Sequence, residues 1–160
     1  MDDFEKLLNK AFKFLSYRPR SEKEVRDYLI KKKADELTLT RITQSLKENN
    51  FLNDTDFAKW WIEQRTKFRP KAQRLIKLEL IQKGIGKDLI DKLLQDKSIE
   101  TLTDLDKAKR IAQKKLQRYK NEVPQKQYEK LVRFLASKGF NWDTIKKIVD
   151  QLIPKRYNKF

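Results

Sequence analysis

Apolar side chains recur at every third or fourth position along most of the chain, which is the period of an α-helix with one buried face. The first such stripe comprises Phe4, Leu8, Ala11, Phe12 and Leu15. Comparable stripes follow as far as Leu152, and their aromatic members include Phe57, Trp60, Trp61, Phe68 and Trp142. The chain lacks a convincing alternation with a period of two, which a half-exposed strand requires. The pattern therefore predicts an all-α protein.

Three prolines divide this helical pattern into similar stretches. Pro19, Pro70 and Pro124 are 51 and 54 residues apart, and a proline favours a helix break because it restricts the residue before it. About ten residues after each proline comes a related phrase, which reads Leu29-Ile-Lys-Lys-Lys33, Leu80-Ile-Gln-Lys-Gly84 or Leu135-Ala-Ser-Lys-Gly139. The two glycines stand where helices often end in the left-handed conformation. The first copy has a lysine there, and we expect a longer link to its next helix.

Self-similarity at this period indicates repeated supersecondary units. Each unit contains three predicted helices, and the second helix of the first unit opens with a capping-box pattern, Ser21-x-x-Glu24. We predict three tandem three-helix repeats in an elongated, curved arrangement. The repeats span residues 1–53, 54–97 and 98–153, a linker covers Asp96–Asp104, and a flexible basic tail follows at 154–160.

The formal net charge of +16 indicates a polyanionic partner such as DNA or RNA. The excess is uneven along the chain. Residues 105–160 carry 16 basic and 5 acidic side chains, whereas residues 1–104 carry 23 and 18. A contact with nucleic acid is therefore expected mainly from the last third of the chain.

Two segments, 65–77 and 107–120, are rich in basic residues and contain no acidic residue. We expect Lys71, Arg74 and Lys77 to share one helix face, and Lys107 to begin a basic ridge along another helix. The alternative is that both are solvated faces without a partner. The candidate contacts with nucleic acid or a nucleoprotein filament are Arg65, Lys67, Arg69, Lys71, Arg74, Lys77, Lys107, Arg110, Lys114, Lys115, Arg118 and Lys120.

Several kinds of chemistry are excluded by composition. Cysteine and histidine are absent, so disulfides, zinc fingers, thiol nucleophiles and histidine bases are excluded. The carboxylates are scattered, and Gly84-x-Gly86 lacks the other elements of a phosphate-binding loop. We expect no catalysis, no metal and no cofactor. Without an 18-residue apolar run or a secretory signal, we expect a cytoplasmic protein that does not contact membranes.

Two local features allow more than one interpretation. Trp60 and Trp61 point about 100° apart on a helix, so either both pack or one of them stacks on a base or a partner. We favour packing for both. Asp54 and Asp56 lie near a predicted helix start, and we expect them to cap it and interact with its dipole rather than to bind a metal.

The motifs of the first two repeats resemble those of the RecX family. An Arg-x-x-Ser-x-x-Glu helix opening is present at Arg18, Ser21 and Glu24, and an aromatic-Leu-Asn-Asp-x-x-Phe-Ala turn covers residues 51–58. A Glu-Leu-x-x-Lys-Gly-Ile phrase follows at residues 79–85. Asn53 stands where many members of the family have aspartate. The resemblance extends over about residues 8–153.

The resemblance implies a three-helix repeat protein without enzymatic activity that binds DNA and the RecA–DNA filament. It implies that the protein modulates RecA, with inhibition as the favoured mode, in recombination, DNA repair and the SOS response. We expect a monomer whose partners are the RecA filament and single- or double-stranded DNA. Two alternatives are a general nucleic-acid-binding helical module without a RecA partner and an adaptor that contacts proteins only.

Overall fold

The computed structural model of the chain describes residues 2–99 and 102–154, and the tail predicted to be flexible lies outside the described residues from position 155 onward. The described residues form nine α-helices and no strand, which confirms the all-α prediction. The helices are α1 (Asp3–Tyr17), α2 (Glu22–Lys31), α3 (Glu36–Glu48), α4 (Asp54–Lys67), α5 (Gln73–Gln82), α6 (Lys87–Gln95), α7 (Asp104–Arg118), α8 (Pro124–Ser137) and α9 (Trp142–Leu152).

The prolines mark the breaks that the sequence predicts. Pro19 separates α1 from α2, and Pro70 separates α4 from α5. Pro124 is the first residue of α8, where its missing amide hydrogen costs nothing because that amide has no partner within the helix. The predicted linker, which begins at Asp96, lies between α6 and α7.

The turn after the second helix of each repeat has the same backbone form in all three copies. Gly84 and Gly139 have φ values of 83° and 86°, and Lys33 has a φ of 65°. The next helix begins three residues later in every copy. The expected longer link in the first repeat was therefore wrong, because a lysine adopts the left-handed conformation that glycine adopts elsewhere.

One hydrogen bond recurs in each of these turns. The amide of the residue after the left-handed one donates to a leucine carbonyl five residues earlier, as in a Schellman motif. The donor and acceptor are Ala34 and Leu29 at 3.0 Å in the first copy, and Ile85 and Leu80 at 3.0 Å in the second. Phe140 and Leu135 form the third bond at 3.4 Å. These bonds satisfy helix-end carbonyls that would otherwise lack partners.

Aspartates at two helix starts cap other helices. Asp54, the first residue of α4, accepts a hydrogen bond from the amide of Glu22 at 2.8 Å, which caps α2. Asp104, the first residue of α7, accepts from the amide of Gln73 at 3.0 Å and caps α5 in the same way. The start of α4 uses Asn53, whose Oδ1 accepts from the amide of Asp56 at 3.1 Å. Capping by Asp54 is thus confirmed, but on a helix distant in sequence. Burial raises the pKa of the Asp54 carboxyl, although its bond from Glu22 opposes the shift.

Packing divides the chain into two compact units. Unit 1 comprises residues up to 61 together with 79–99, and unit 2 comprises residues 62–78 and those from 100 onward. The core of unit 1 contains Ala11, Val25, Leu29, Leu39, Ile42, Leu46 and Leu52. The core of unit 2 contains Ala72, Ala108, Ala112, Leu131, Leu135, Phe140, Ile145, Ile148, Val149 and Ile153. The second predicted repeat contributes residues to both units.

Two aromatic residues of the predicted stripes are more than half exposed instead of lying in a core. Phe68 is 72% exposed because α4 ends at Lys67, one residue before it. Trp142 is 57% exposed because it is the first residue of α9, and the buried face of that helix begins at Ile145. The expectation that these two rings point inward was wrong.

Candidate nucleic-acid interface

The positive charge of the protein is concentrated in unit 2. This unit carries 22 basic and 8 acidic side chains, whereas unit 1 carries 17 and 15. The basic segment 65–77 of the second predicted repeat thus belongs to the same unit as the basic last third of the chain. Unit 2 is accordingly the part of the molecule with a large positive field.

A cleft of about 510 Å³ lies within unit 2, and we call it the basic cleft. Its walls come from the end of α4, the link at 68–72, α7 and the C-terminal end of α8. No acidic residue is among those that line it. The lining residues are Arg65, Phe68, Arg69, Pro70, Lys71, Ile111, Lys114, Lys115, Arg118, Phe134 and Lys138.

The basic cleft brings together residues from both acid-free segments of the sequence. Arg65, Arg69 and Lys71 come from the first segment, and Lys114, Lys115 and Arg118 come from the second. The candidates outside the cleft lining are Lys67, Arg74, Lys77, Lys107, Arg110 and Lys120. Half of the candidate contacts therefore line one cleft, although the two segments are 30 residues apart in sequence.

Lys107 does not belong to an exposed ridge, which corrects the expectation from helical spacing. Its side chain is 3% exposed, and its Nζ donates a hydrogen bond to the carbonyl oxygen of Lys71 at 3.2 Å. The carboxylate of Asp104 lies 4.0 Å from the same nitrogen. Burial lowers the pKa of the Lys107 amine, and the nearby Asp104 charge opposes the shift. Lys107 thus holds the link at the edge of the basic cleft rather than facing solvent.

The first segment does not form one helical face either. Helix α5 begins at Gln73, so Lys71 precedes it and only Arg74 and Lys77 share a helix. The guanidinium Nε of Arg74 donates to the carbonyl oxygen of Gly139 at 2.5 Å. Lys71 therefore does not share a helix face with Arg74 and Lys77, because the helix starts later than the sequence pattern suggested.

Hydrogen bonds to backbone atoms of residues 71–73 fix the position of the link between α4 and α5. The amide of Ala72 donates to the carbonyl oxygen of Lys138 at 3.0 Å, and Ala72 itself is buried in the core of unit 2. The Asp104 cap on Gln73 and the Lys107 bond to Lys71 hold the adjacent residues. The link is therefore attached to both α7 and the end of α8.

Phe134 and Lys138 line the basic cleft but were not among the site residues predicted from the sequence. The ammonium groups of Lys115 and Lys138 lie 4.8 Å and 5.7 Å from the centre of the Phe134 ring, within range of a cation–π attraction. Phe134 is adjacent to the buried Leu135 and lies off the centre of the α8 stripe. That position beside basic residues was the signal available in the sequence.

In unit 1, Trp60 and Trp61 both pack, which confirms the interpretation that we favoured. Their ring centres lie 6.2 Å and 5.7 Å from that of the buried Phe57. The indole nitrogen of Trp61 donates to the carboxylate of Glu79 at 2.9 Å. The pair thus belongs to the folded framework of this unit.

The resemblance motifs of the first two repeats meet at Glu24 in unit 1. Its carboxylate accepts hydrogen bonds from Arg18 Nη2 at 2.5 Å and from Lys83 Nζ at 2.8 Å. The amide of Ser21 donates to it at 3.0 Å, which completes the capping box predicted from the sequence. Burial favours a higher pKa for Glu24, but these three donors outweigh it and lower the pKa.

Two further properties of the described residues bear on other kinds of site. Within 2–99 and 102–154, carboxylates do not cluster in groups of three or more that could hold a metal ion. In that same part of the chain, none of the helices has the length and apolar character required to cross a bilayer.

Models of the three RecX three-helix domains match the chain in order. The first domain matches residues 8–39, the second matches 53–94, and the third matches 103–149. The third match covers the basic segment of α7, where the resemblance of individual motifs was weakest. Together the three matches cover most of the chain.

Curated relatives and solved structures agree with these matches. The regulatory protein RecX of Clostridium perfringens strain 13 is 37% identical over 159 residues, which cover 98% of this chain and 73% of that protein. The regulatory protein RecX of Listeria monocytogenes EGD-e is 33% identical over 91% of this chain, but the chain spans only 53% of its length. The crystal structure of RecX from Lactobacillus salivarius matches with a TM-score of 0.68 and 28% identity, covering 94% of this chain and 97% of that one. The chain therefore belongs to the RecX family of regulatory proteins.

Proposed function

We propose that this protein binds the RecA–DNA filament and restrains RecA activity in recombination and the response to DNA damage. The basic cleft contacts DNA phosphates in this proposal. The observation that carries it is the convergence of two acid-free segments on a single cleft of unit 2. The protein acts by binding rather than by catalysis.

The chemistry of the basic cleft suits a phosphate backbone. Seven cationic side chains line it without an acidic one, and like charges so close together repel each other in the free protein. A polyanion relieves that repulsion and releases its own counterions on binding. Phosphate contacts of this kind position a protein on nucleic acid without reading its sequence.

The RecA part of the proposal depends on membership of the family. The relatives are named regulatory proteins, and the family resemblance implies that RecA is the regulated partner. Several weak contacts with neighbouring filament subunits, together with DNA contacts, would give avidity. Restraint then follows if the protein either bridges filament subunits or caps the growing end.

The DNA part is tested by reversing charges in the basic cleft. We expect Lys114→Glu, Lys115→Glu and Arg118→Glu, combined, to lower affinity for single-stranded DNA at least tenfold near 100 mM salt. If about six phosphates are contacted, log affinity of the unaltered protein falls with log salt at a slope near −4, and the variant has a slope near −2. The matched control reverses three exposed lysines of unit 1, Lys10, Lys13 and Lys31, and should bind nearly as the unaltered protein does. Equal losses in both variants would contradict a localised site.

The RecA part is tested by ATP hydrolysis of RecA on single-stranded DNA. A few-fold molar excess of this protein over RecA should lower the rate of hydrolysis, and the triple variant of the basic cleft should lower it less. Salt-dependent DNA binding with no effect on hydrolysis would favour the general nucleic-acid-binding alternative. No binding to DNA and no effect on RecA would refute the proposed function as a whole.

A further inference from the structure

The exposed ring of Phe68 points to the form of DNA that the basic cleft accepts. We propose that Phe68 stacks on an unpaired base of single-stranded DNA whose phosphates occupy the basic cleft. This inference rests on the proposed function, because it needs the cleft to be a DNA site. It adds a preference for unpaired bases, which phosphate contacts alone do not supply.

Phe68 has no role in the core that would explain its identity. Its side chain is 72% exposed, and it is not part of the core of unit 2. It lies in the sequence Lys67-Phe68-Arg69, directly after the end of α4, and it lines the basic cleft. An aromatic side chain flanked by cations is the arrangement that proteins use to bind single strands, because each base has a face that can stack.

The backbone at Phe68 is held in place before any ligand arrives. Its amide donates to the carbonyl oxygen of Gln64 at 3.0 Å. Four residues further on, Ala72 is buried and bonded to Lys138. Because the backbone is already fixed, stacking of a base has to order only the side chain, so more of the stacking energy contributes to affinity.

The cations beside Phe134, the other aromatic ring of the basic cleft, explain why Phe68 is the stacking residue. Two ammonium groups, from Lys115 and Lys138, already lie over the Phe134 ring. They place positive charge in the same cleft as Phe68, where the phosphates that flank a stacked base would lie. The volume of about 510 Å³ is within the range of roughly 300–1,000 Å³ that is common for small-ligand sites.

The experiment compares two single-stranded probes with the same number of phosphates. One is a thymidine oligonucleotide, and the other is an oligomer of the same length whose residues are abasic. We expect the unaltered protein to bind the thymidine oligonucleotide at least about fivefold more tightly, which corresponds to the lower end of measured base–aromatic stacking. Phe68→Ala and Phe68→Leu should bind both probes equally, and Phe68→Trp should keep the preference.

Trp142→Ala is the matched control, because it removes an aromatic ring that is 57% exposed in unit 2 but lies outside the basic cleft. This variant should keep the preference for bases. A closed hairpin duplex should bind Phe68→Ala as well as it binds the unaltered protein, since its bases are paired and stacked.

The possible results separate the two levels of the proposal. If the unaltered protein binds both single-stranded probes equally and with strong salt dependence, the stacking inference is wrong and the phosphate site stands. If it binds neither probe, the proposed function fails in its DNA part. If Phe68→Ala keeps the preference for bases yet loses its effect on RecA, Phe68 contacts protein instead, which also overturns the inference.

Discussion

At the scale of single residues, Glu24 is the clearest case of a side chain whose charge supports the fold. Its side chain is 12% exposed and lies between Arg18 and Lys83, which come from distant parts of the sequence. The guanidinium of Arg18 and the ammonium of Lys83 also lie 5.7 Å and 5.4 Å from the ring centre of Trp61. Removing the carboxylate would leave two partly buried cations without their shared anion.

We therefore expect Glu24→Gln to lower the free energy of unfolding by about 1–3 kcal/mol, since hydrogen bonds to charged groups are stronger than neutral ones. Urea unfolding at pH 7 measures this. The control is Asp27→Asn, which breaks an exposed pair with Lys23 and should change stability by less than about 1 kcal/mol. Equal effects of the two substitutions would argue against a special role for Glu24.

The contribution of Glu24 should also depend on pH. Its pKa in the folded protein lies below the ordinary value of 4.5 because Arg18, Lys83 and the amide of Ser21 stabilise the ionised form against the cost of burial. A lowered folded pKa means that the stabilisation is complete above pH 4.5 and is lost as pH falls through the folded value. The unaltered protein and Glu24→Gln should converge in stability as the pH falls below 4.5. A difference that stays constant across this range would contradict the assignment.

At the scale of elements, the turn between the second and third helix of each repeat has the same backbone conformation, with glycine at the left-handed position in two repeats and lysine in the other. Gly139 has a positive φ, and a Cβ added there would lie 2.5 Å from Cδ1 of Leu75. Lys33 holds the same kind of conformation with a full side chain in the first repeat. The conformation costs a residue with a Cβ about 1–2 kcal/mol.

Two substitutions in these turns should change stability in opposite directions. We expect Gly139→Ala to destabilise the protein by at least about 2 kcal/mol, because both backbone strain and overlap with Leu75 contribute. Lys33→Gly should stabilise it by up to about 1 kcal/mol. Lys32→Gly serves as the control, since Lys32 has a φ of −87° and should lose stability. Thermal unfolding of the three variants tests the direction of each change in stability. A lower stability of Lys33→Gly would contradict this account.

The elements also show what local sequence patterns can predict. Proline breaks, the two glycine turns and the capping box at Ser21 depend on residues a few positions apart, and each was predicted correctly. The link after Lys33 was mispredicted because lysine seldom adopts a positive φ, so its type gave no signal. The caps by Asp54 and Asp104 join residues 32 and 31 positions apart, and local spacing has no information about such contacts.

The same limit applies to the candidate site. The sequence identified two basic segments, but only the fold brings Arg69 near Lys115 in one cleft. Helical spacing placed Lys107 with exposed cations, whereas it lies against the carbonyl of Lys71. Because lysine is seldom buried, the sequence offered no reason to expect a buried side chain at this position. Phe68 was counted as core because its spacing matches the stripe of α4, although Pro70 marks a helix end close by without giving its last residue.

At the scale of the whole molecule, packing does not follow the order of the predicted repeats. Residues 62–78 belong to unit 2, whose other residues begin at position 100. The buried Ala72 packs in the same core as Leu131 and Leu135. A chain without its last third would therefore lose the packing partners of a segment in its middle.

We expect a chain that ends at residue 99 to show at least tenfold faster amide hydrogen exchange within 66–78, because the core of unit 2 is gone. Amides of α2 and α3 should keep their protection, since their core lies in unit 1. Removing residues 1–17 instead is the control, and it should weaken unit 1 while leaving 66–78 protected. Unchanged exchange within 66–78 after the first truncation would show that this segment is held by unit 1.

The unequal charge of the two units has a consequence for how fast the protein meets its partner. With 22 basic and 8 acidic side chains in one unit and a near balance in the other, a polyanion attracts one part of the molecule much more strongly. Diffusing molecules then turn during their approach, so that a larger share of collisions begin in a productive orientation. The rate of encounter should fall with added salt more steeply than the rate of departure rises. The charge asymmetry would therefore let a small protein find a polyanion quickly even where each separate contact is weak.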